Sequence, residues 1–254
     1  MALIHMTSSF QSIGKDAGVQ IILPDHAAAP YRTLYLLHGW SDNETAWMRH
    51  TAIEQLANEY QLAVVMPDVG LSYYTDMAFG GNYYTFVREE LPRLVERHFS
   101  LSKKAEDRYV AGLSMGGFGA FKLALNDPHS YRAAASFSGA LLIDELIKIH
   151  ETNQEKTRQP YMQAIFGLQC DVSQTENDLL YQLQRIENNS ISTAFFQYCG
   201  TEDFLYPMNQ LFRKHAENSS LHFFYSDGPG DHEWHYWNAC LSNWLKRLAE
   251  LRFL

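Results

Sequence analysis

Short apolar segments alternate with longer amphipathic segments along most of this chain. The segments with the pattern of strands are residues 19–23, 33–37, 62–66, 107–113, 133–138, 194–199 and 221–225. Amphipathic patterns predict helices over residues 45–60, 85–99, 115–126 and 207–218, followed by a last helix that ends near Leu251. Strands that alternate with helices form mostly parallel sheets covered on both faces, so we predict an α/β fold whose first strand is antiparallel.

The alternation breaks between about residues 141 and 189, where polar segments, Pro160 and short helical patterns occur. A stretch of this length without the β/α rhythm predicts an insertion over one end of the sheet. A chain of 254 residues is within the size range of one α/β domain. We therefore predict a single domain over residues 1–254, with residues 141–189 as a cap-like insertion.

The composition of the chain argues against several classes of binding partner. The formal net charge is −9 and no cluster of Lys and Arg occurs, which argues against a nucleic-acid partner. Cys170, Cys199 and Cys240 lack close spacing, which indicates neither a disulfide framework nor a thiolate zinc site and suits a reducing compartment. No export signal or run of 18 apolar residues occurs, so we expect a cytoplasmic protein without a membrane partner. Self-association into a homo-oligomer is compatible with this composition.

The strongest local motif is Gly112-Leu113-Ser114-Met115-Gly116, a G-x-S-x-G where a predicted strand meets a predicted helix. Such a turn exposes the serine hydroxyl, and its flanking glycines let strand and helix approach closely. The alternative is an ordinary turn, because Gly and Ser often occur together in turns. Ser136 and Ser138 lack the flanking glycines, so we predict Ser114 as a nucleophile.

A serine hydroxyl needs a neighbouring base, and in α/β-hydrolases the base is a histidine that follows the acid in the chain. His232 follows the turn 227–231 and precedes the last predicted helix, which is the expected position. His235 is the closest alternative, about one helical turn further on, whereas His222 falls inside a strand pattern. We predict His232 as the base.

The acid is expected on the loop after the strand 194–199, where Glu202 and Asp203 occur. We predict Asp203, with helix capping as its alternative role. Asp227 and Asp231 lie close to His232 in sequence, but we interpret them as turn formers.

Acyl transfer also needs donors for the developing oxyanion. Met115 follows the nucleophile and Trp40 follows the strand that ends in His38-Gly39, so their main-chain N–H groups are the candidates. Candidate pocket walls, with core packing as the alternative, are Trp40, Trp47, Phe79, Tyr83, Tyr84 and Trp234. The histidines of residues 232–235 are three apart, unlike H-E-x-x-H, and residues 112–119 lack the Lys of a P-loop. We therefore expect neither a metal nor a cofactor.

Together these motifs resemble the esterase D-like family, and within it most closely the bacterial tributyrin-type carboxylesterases. They recur in order over most of the chain, at residues 34–39, 111–119, 136–140, 199–206 and 232–234. The resemblance implies an α/β-hydrolase fold and a carboxylesterase that hydrolyses short-chain acyl esters. It also implies Ser114, Asp203 and His232 as the catalytic triad, with the N–H groups of Trp40 and Met115 as the oxyanion hole.

Three other functions stay open at this point. S-formylglutathione hydrolases and acetyl or feruloyl carbohydrate esterases are similar families with the same scaffold, and they act on other acyl compounds. Transfer of the acyl group to an acceptor other than water would use the same residues. A fold alone does not exclude a non-catalytic binding module built on a hydrolase scaffold.

Overall fold

The computed structural model describes residues 1–152, 157–186 and 192–254. Its centre is one eight-stranded sheet in the order β1-β2-β4-β3-β5-β6-β7-β8. The strands are β1 (Ala2–Phe10), β2 (Lys15–Leu23), β3 (Thr33–Leu37), β4 (Ala63–Pro67), β5 (Arg108–Leu113), β6 (Ala133–Phe137), β7 (Ala194–Gly200) and β8 (His222–Gly228). The six strands β3 to β8 are parallel to one another. Strands β1 and β2 form an antiparallel extension beside β4, at one edge of the sheet. The predicted mostly parallel α/β fold is confirmed.

The helices cover both faces of this sheet. They are α1 (Ala46–His50), α2 (Ile53–Glu59), α3 (Tyr83–Thr85), α4 (Leu91–Phe99), α5 (Met115–Asn126), α6 (Ile143–Thr152), α7 (Gln159–Phe166), α8 (Leu179–Arg185), α9 (Tyr206–Glu217) and α10 (Trp234–Glu250). A π-helical turn, Phe86–Glu90, connects α3 to α4 without a break. No helix among the described residues is both long enough and apolar enough to cross a lipid bilayer.

Alternate residues of a strand face opposite sides of the sheet, and the two sides have separate cores. Leu34 and Leu36 of β3 pack in a cluster with the side chains of α1, α2 and α10. Tyr35 and Leu37 of the same strand pack in the other cluster, with α4, α5 and α9. All five residues of β3 are buried, which explains why its sequence shows no alternation of apolar and polar positions.

Two elements differ from the sequence prediction. The helix predicted over residues 45–60 is interrupted at Thr51, which is extended at φ −136° and ψ 170°. There the Thr51 hydroxyl donates to the Trp47 carbonyl, and the Ala52 N–H donates to the side chain of Asn238 on α10. Strand β1 was not predicted; it lies at the edge of the sheet, so few of its side chains are buried.

The predicted insertion contains α6, α7 and α8, and residues 153–156 and 187–189 of it lie outside the described residues. Leu146 of α6, Met162 of α7 and Leu183 of α8 are buried in the cluster that also contains the side chains of α5. Main-chain hydrogen bonds join Ile165 and Ala164 to the loop that precedes α3.

Candidate active site

Ser114 lies on a strained turn between β5, which ends at Leu113, and α5, which begins at Met115. Its backbone has φ 50° and ψ −115°, in a region that residues with a Cβ rarely adopt. The Ser114 N–H donates to the Phe137 carbonyl at 2.9 Å, and the Ala140 N–H donates to the Ser114 carbonyl at 3.1 Å. These bonds to the chain around β6 hold the turn in place, and the serine side chain is half-buried at its tip.

Only glycine fits on either side of this turn, because the space around positions 112 and 116 is too small for a Cβ. A Cβ on Gly112 would overlap the main chain of Gly116, and a Cβ on Gly116 would overlap the carbonyl oxygen of Leu37 in β3. The sequence motif therefore reflects a physical constraint, since helix α5 begins in contact with the ends of two strands.

The three predicted catalytic side chains meet at the carboxyl ends of β5, β7 and β8. The Nε2 atom of His232 lies 3.0 Å from the Ser114 Oγ, and its Nδ1 lies 2.9 Å from Asp203 Oδ2. The Asp203 side chain is fully buried, whereas that of His232 is 19% exposed. The rings of Phe204 and Trp237 pack against the His232 imidazole, and their centroids lie 4.8 and 4.9 Å from its centroid.

Asp203 is held in place by hydrogen bonds with main-chain groups of its own loop. Its N–H donates to the Gly200 carbonyl, and its Oδ1 accepts from the Leu205 N–H at 2.8 Å. The Thr201 N–H donates to the Gly228 carbonyl at 2.9 Å, which joins this loop to the one that carries His232. The predicted acid and base are thus held relative to each other by backbone hydrogen bonds.

The acidic alternatives near His232 have other partners. The carboxylate of Glu202 accepts from the Gly230 N–H, and that of Asp231 accepts from the His232 N–H. The carboxylate of Asp227 accepts from the hydroxyls of Tyr206 and Tyr225.

The histidine alternatives do not lie against the serine. His235 is exposed on α10, and His222 is an exposed residue at the start of β8. Of the candidate bases, His232 is the one within hydrogen-bond distance of Ser114.

The N–H groups of Trp40 and Met115 have no hydrogen-bond acceptor among the described residues. For Met115 this follows from its position, because the first N–H groups of a helix have no partner within the helix. Gly39 and Ser41, on either side of Trp40, line the same cavity as Ser114. Trp40 also lines this cavity, and Met115 directly follows Ser114 in the chain.

The cavity at Ser114 has a volume of about 440 Å³. Its aromatic walls are Trp40, Tyr73, Phe204, Trp234 and Trp237. Leu146 and Arg158, both from the predicted insertion, also line it. Phe204 and Trp237 were missed from the sequence, although Phe204 adjoins the predicted acid and Trp237 is one helical turn from Trp234.

Four residues predicted as pocket walls lie elsewhere, and one of them, Tyr83, is half-buried at the start of α3. Trp47 is fully buried in the core, where its Nε1–H donates to the Leu37 carbonyl at 3.0 Å. Phe79 is 62% exposed and does not line the cavity. Tyr84 is buried with its ring 4.3 Å from the Nζ of Lys122. These residues do follow strand ends along the chain, but their side chains do not line the cavity.

Other reactive groups near the site are less suited to nucleophilic attack. Burial raises the pKa of the Cys199 thiol well above its ordinary value, which disfavours the thiolate. Among the described residues no group of three or more His, Cys, Asp or Glu side chains is arranged to hold a metal ion.

This fold and this site define a serine hydrolase with an α/β-hydrolase fold. The chain belongs to the Esterase family, whose model matches residues 10–248. The fluorophosphonate-binding serine hydrolase F of Staphylococcus aureus is 34% identical, with a TM-score of 0.87 over 97% of this chain and 98% of that one.

Two other relatives agree with this assignment. The S-formylglutathione hydrolase of Staphylococcus aureus is also 34% identical, with a TM-score of 0.84 over 97% of this chain and 98% of that one. An acetyl esterase of Caldicellulosiruptor saccharolyticus is 25% identical over 98% of this chain and its own full length. The predicted membership of the esterase D-like family is confirmed, and the protein is a carboxylesterase rather than a binding module.

Proposed function

We propose that Ser114 is the nucleophile of this carboxylesterase, His232 its general base and Asp203 the carboxylate that orients the base. The observation that carries the proposal is the continuous pair of hydrogen bonds, 3.0 Å from Ser114 Oγ to Nε2 and 2.9 Å from Nδ1 to Asp203. A carboxylate only accepts, so the Nδ1–H of His232 donates to it. That leaves Nε2 as the acceptor for the serine proton.

The reaction follows from these positions in two steps. In the first, Ser114 Oγ attacks the ester carbonyl carbon while its proton passes to His232 Nε2, and the imidazolium then protonates the departing alcohol. In the second, His232 removes a proton from water, and the resulting attack on the acyl-enzyme releases the acid and restores the serine. The buried charge of Asp203 stabilises the imidazolium in both steps.

Negative charge that develops on the carbonyl oxygen needs fixed donors. We assign this role to the main-chain N–H groups of Trp40 and Met115, which have no acceptor within the described part of the chain. One such donor typically contributes about 100- to 1,000-fold in rate to enzymes that stabilise an oxyanion.

For the substrate we propose short-chain acyl esters. A cavity of about 440 Å³ with aromatic walls suits a small apolar acyl group. The acetyl esterase among the relatives supports the same class of substrate. Residues 141–189 act as a cap in this proposal, since Leu146 and Arg158 line the cavity from that segment.

A second candidate is hydrolysis of a formyl thioester. It is favoured by the similarity, at 34% identity over 97% of this chain, to a protein described as an S-formylglutathione hydrolase. The same triad attacks a thioester carbonyl, so substrate preference distinguishes the two candidates. We also propose a cytoplasmic location, which is supported by the buried thiols of Cys199 and Cys240, neither of which is in a disulfide bond.

Replacement of the nucleophile tests the triad. Ser114→Ala is expected to lower kcat for p-nitrophenyl acetate by at least about 10,000-fold, with an unchanged thermal unfolding midpoint. The variant is also expected to lose labelling by a fluorophosphonate probe. Ser138→Ala, which removes a buried hydroxyl at the end of β6, is the matched control and should keep both activity and labelling. Labelling that persists in Ser114→Ala would assign the nucleophile to another residue.

A panel of substrates tests which acyl group the enzyme prefers. We expect kcat/KM to be highest for acetyl to butyryl p-nitrophenyl esters and to fall for longer chains. A kcat/KM for S-formylglutathione above that for every ester would favour the second candidate. Added alcohol acceptors that yield new esters, rather than free acid, would indicate acyl transfer.

A further inference from the structure

His38 is a buried histidine next to the proposed oxyanion hole that the catalytic steps do not use. It follows the last residue of β3, and its side chain is 1% exposed. Its ring lies between two main-chain groups: Nδ1 is 2.8 Å from the Gly39 carbonyl oxygen, and the Val69 N–H donates to Nε2 at 3.1 Å. Both ring nitrogens of His38 therefore have partners.

These partners determine the protonation of the ring. Because a backbone N–H only donates, Nε2 accepts the hydrogen bond from Val69 and carries no proton. The proton of the neutral ring is then on Nδ1, where it is donated to the Gly39 carbonyl. Burial lowers the pKa of His38, which keeps the ring neutral although Asp68 lies 3.7 Å from Nε2.

The Gly39 carbonyl and the Trp40 N–H belong to one peptide unit. That unit is planar, and in the trans form its C=O and N–H point in opposite directions. A group that holds the carbonyl oxygen therefore sets the direction of the N–H. The Asp42 N–H also reaches the Gly39 oxygen, at a longer 3.3 Å, so His38 is the shorter of the two contacts.

We propose that His38 is a positioning residue that aims the Trp40 N–H at the oxyanion through its hydrogen bond to the Gly39 carbonyl. The inference rests on the proposed role of Trp40 in the oxyanion hole. The backbone of His38 is itself held, because the buried Tyr74 hydroxyl donates to its carbonyl at 2.9 Å. The Gly39 N–H donates to Asp42 at 3.2 Å, which holds the other side of this residue.

Two substitutions separate the two hydrogen bonds of the ring. In His38→Asn the amide NH₂ lies near the position of Nδ1 and can donate to the Gly39 carbonyl, while the bond from Val69 is lost. In His38→Gln the longer side chain places an amide oxygen near the position of Nε2, so the bond from Val69 is kept and the one to Gly39 is lost. Each variant removes one hydrogen bond from a buried site, so each serves as the stability control for the other.

The expected result is a difference in kcat between the two variants. We expect His38→Asn to stay within about 5-fold of the wild-type kcat and His38→Gln to lose about 10- to 100-fold, with KM changed less than about 3-fold in both. A boronic acid inhibitor, whose tetrahedral adduct with Ser114 places an oxygen in the oxyanion hole, should lose affinity for His38→Gln in parallel with kcat. Equal losses in both variants, or an unchanged kcat in His38→Gln, would overturn the inference.

A measurement on the wild type covers the case in which neither variant folds. In long-range ¹H–¹⁵N spectra of ¹⁵N-histidine protein, the His38 ring, assigned through its neighbours, is expected to be neutral and protonated on Nδ1 throughout the stable pH range. A His38 ring protonated on Nε2 or on both nitrogens contradicts the proposal. Loss of activity and of fluorophosphonate labelling in Ser114→Ala tests the triad separately, so the two proposals fail on different results.

Discussion

Two regions border the same cavity but are held in different ways: the catalytic rim, formed by the proposed triad of Ser114, Asp203 and His232, and the predicted insertion. Ser114, Asp203 and His232 each follow a strand of the sheet within a few residues, and backbone hydrogen bonds join their loops. The described part of the predicted insertion is held by side chains that pack in the same cluster as those of α5, and by two main-chain hydrogen bonds to the loop before α3. The comparison indicates that strand register positions the predicted catalytic residues, whereas packing and contacts with a loop position the wall around them.

A buried lysine shows how the insertion is attached. Lys122 lies on α5, the helix that begins directly after Ser114, and its side chain is fully buried. Its Nζ lies 3.1 Å from the Tyr74 carbonyl, 3.2 Å from the Thr75 hydroxyl and 3.2 Å from a carboxylate oxygen of Glu176 in the insertion. One cation thus joins α5, the loop before α3 and the predicted insertion.

The largest expected effect comes from a change confined to the catalytic rim. In Asp203→Asn the amide oxygen can still accept from the Leu205 N–H, which turns the amide NH₂ toward His232 Nδ1. The ring must then accept at Nδ1 and carry its proton on Nε2, so it cannot take the serine proton. We expect kcat for p-nitrophenyl acetate to fall by about 10,000-fold with little change in stability.

Asp227→Asn is the matched control, because Asp227 lies on the neighbouring loop and its side chain bonds to tyrosine hydroxyls that an amide oxygen also accepts. We expect its kcat to stay within about 3-fold of the wild type. Similar losses in the two variants would show that the loops, rather than the orientation of the base, set the rate.

The second prediction concerns the attachment of the insertion and its dependence on pH. Burial lowers the pKa of Lys122 from 10.5 to about 8, although Glu176 opposes the shift. Between these two values the unfolded chain binds more protons than the folded one, so stability rises with pH across that window. Relative to Lys122→Met, the wild type should gain on the order of 3 kcal/mol in unfolding free energy between pH 8 and pH 10.5.

Urea unfolding of both proteins at a series of pH values measures this difference. Tyrosines and other groups titrate in both chains, so the comparison isolates Lys122. Lys104→Met removes the same charge from a side chain that is 70% exposed, and its difference from the wild type should be nearly constant over the same range. A constant difference for Lys122→Met as well would mean that the lysine is not charged and buried as described.

The smallest expected effect lies within the insertion. The carboxylate of Asp178 caps α8 by accepting from the Tyr181 N–H at 3.0 Å, and it also accepts from the Gln174 N–H at 3.1 Å. Asp178→Ala should lower the unfolding free energy by about 1 kcal/mol and leave kcat unchanged, because Asp178 does not line the cavity.

Asp178→Asn keeps an oxygen at the capping position and should stay within about 0.5 kcal/mol of the wild type. Chemical denaturation and steady-state rates measured on the same preparations separate stability from catalysis. A fall in kcat for Asp178→Ala would connect the outer part of the insertion to the reaction and weaken the contrast between the two regions.

Much of this molecule was predictable from local patterns. The nucleophile turn and α5 were predicted at the positions where they occur, since a strand, a G-x-S-x-G motif and a helix adjoin in sequence. The residues after β7 and β8 were predictable too, because parallel strands end on the same edge of the sheet. Strand β1 was missed because a strand at the edge of a sheet needs few apolar residues.

Sequence alone determined the fold class and which hydroxyl, imidazole and carboxylate were candidates, because periodicity and turn chemistry are local properties of the chain. Tertiary structure decided which way each side chain points. It placed Trp47 in the core and Phe79 in solvent, brought Phe204 and Trp237 against His232, and buried Lys122 beside Glu176. These contacts join residues distant in sequence, so they depend on packing that no local pattern records.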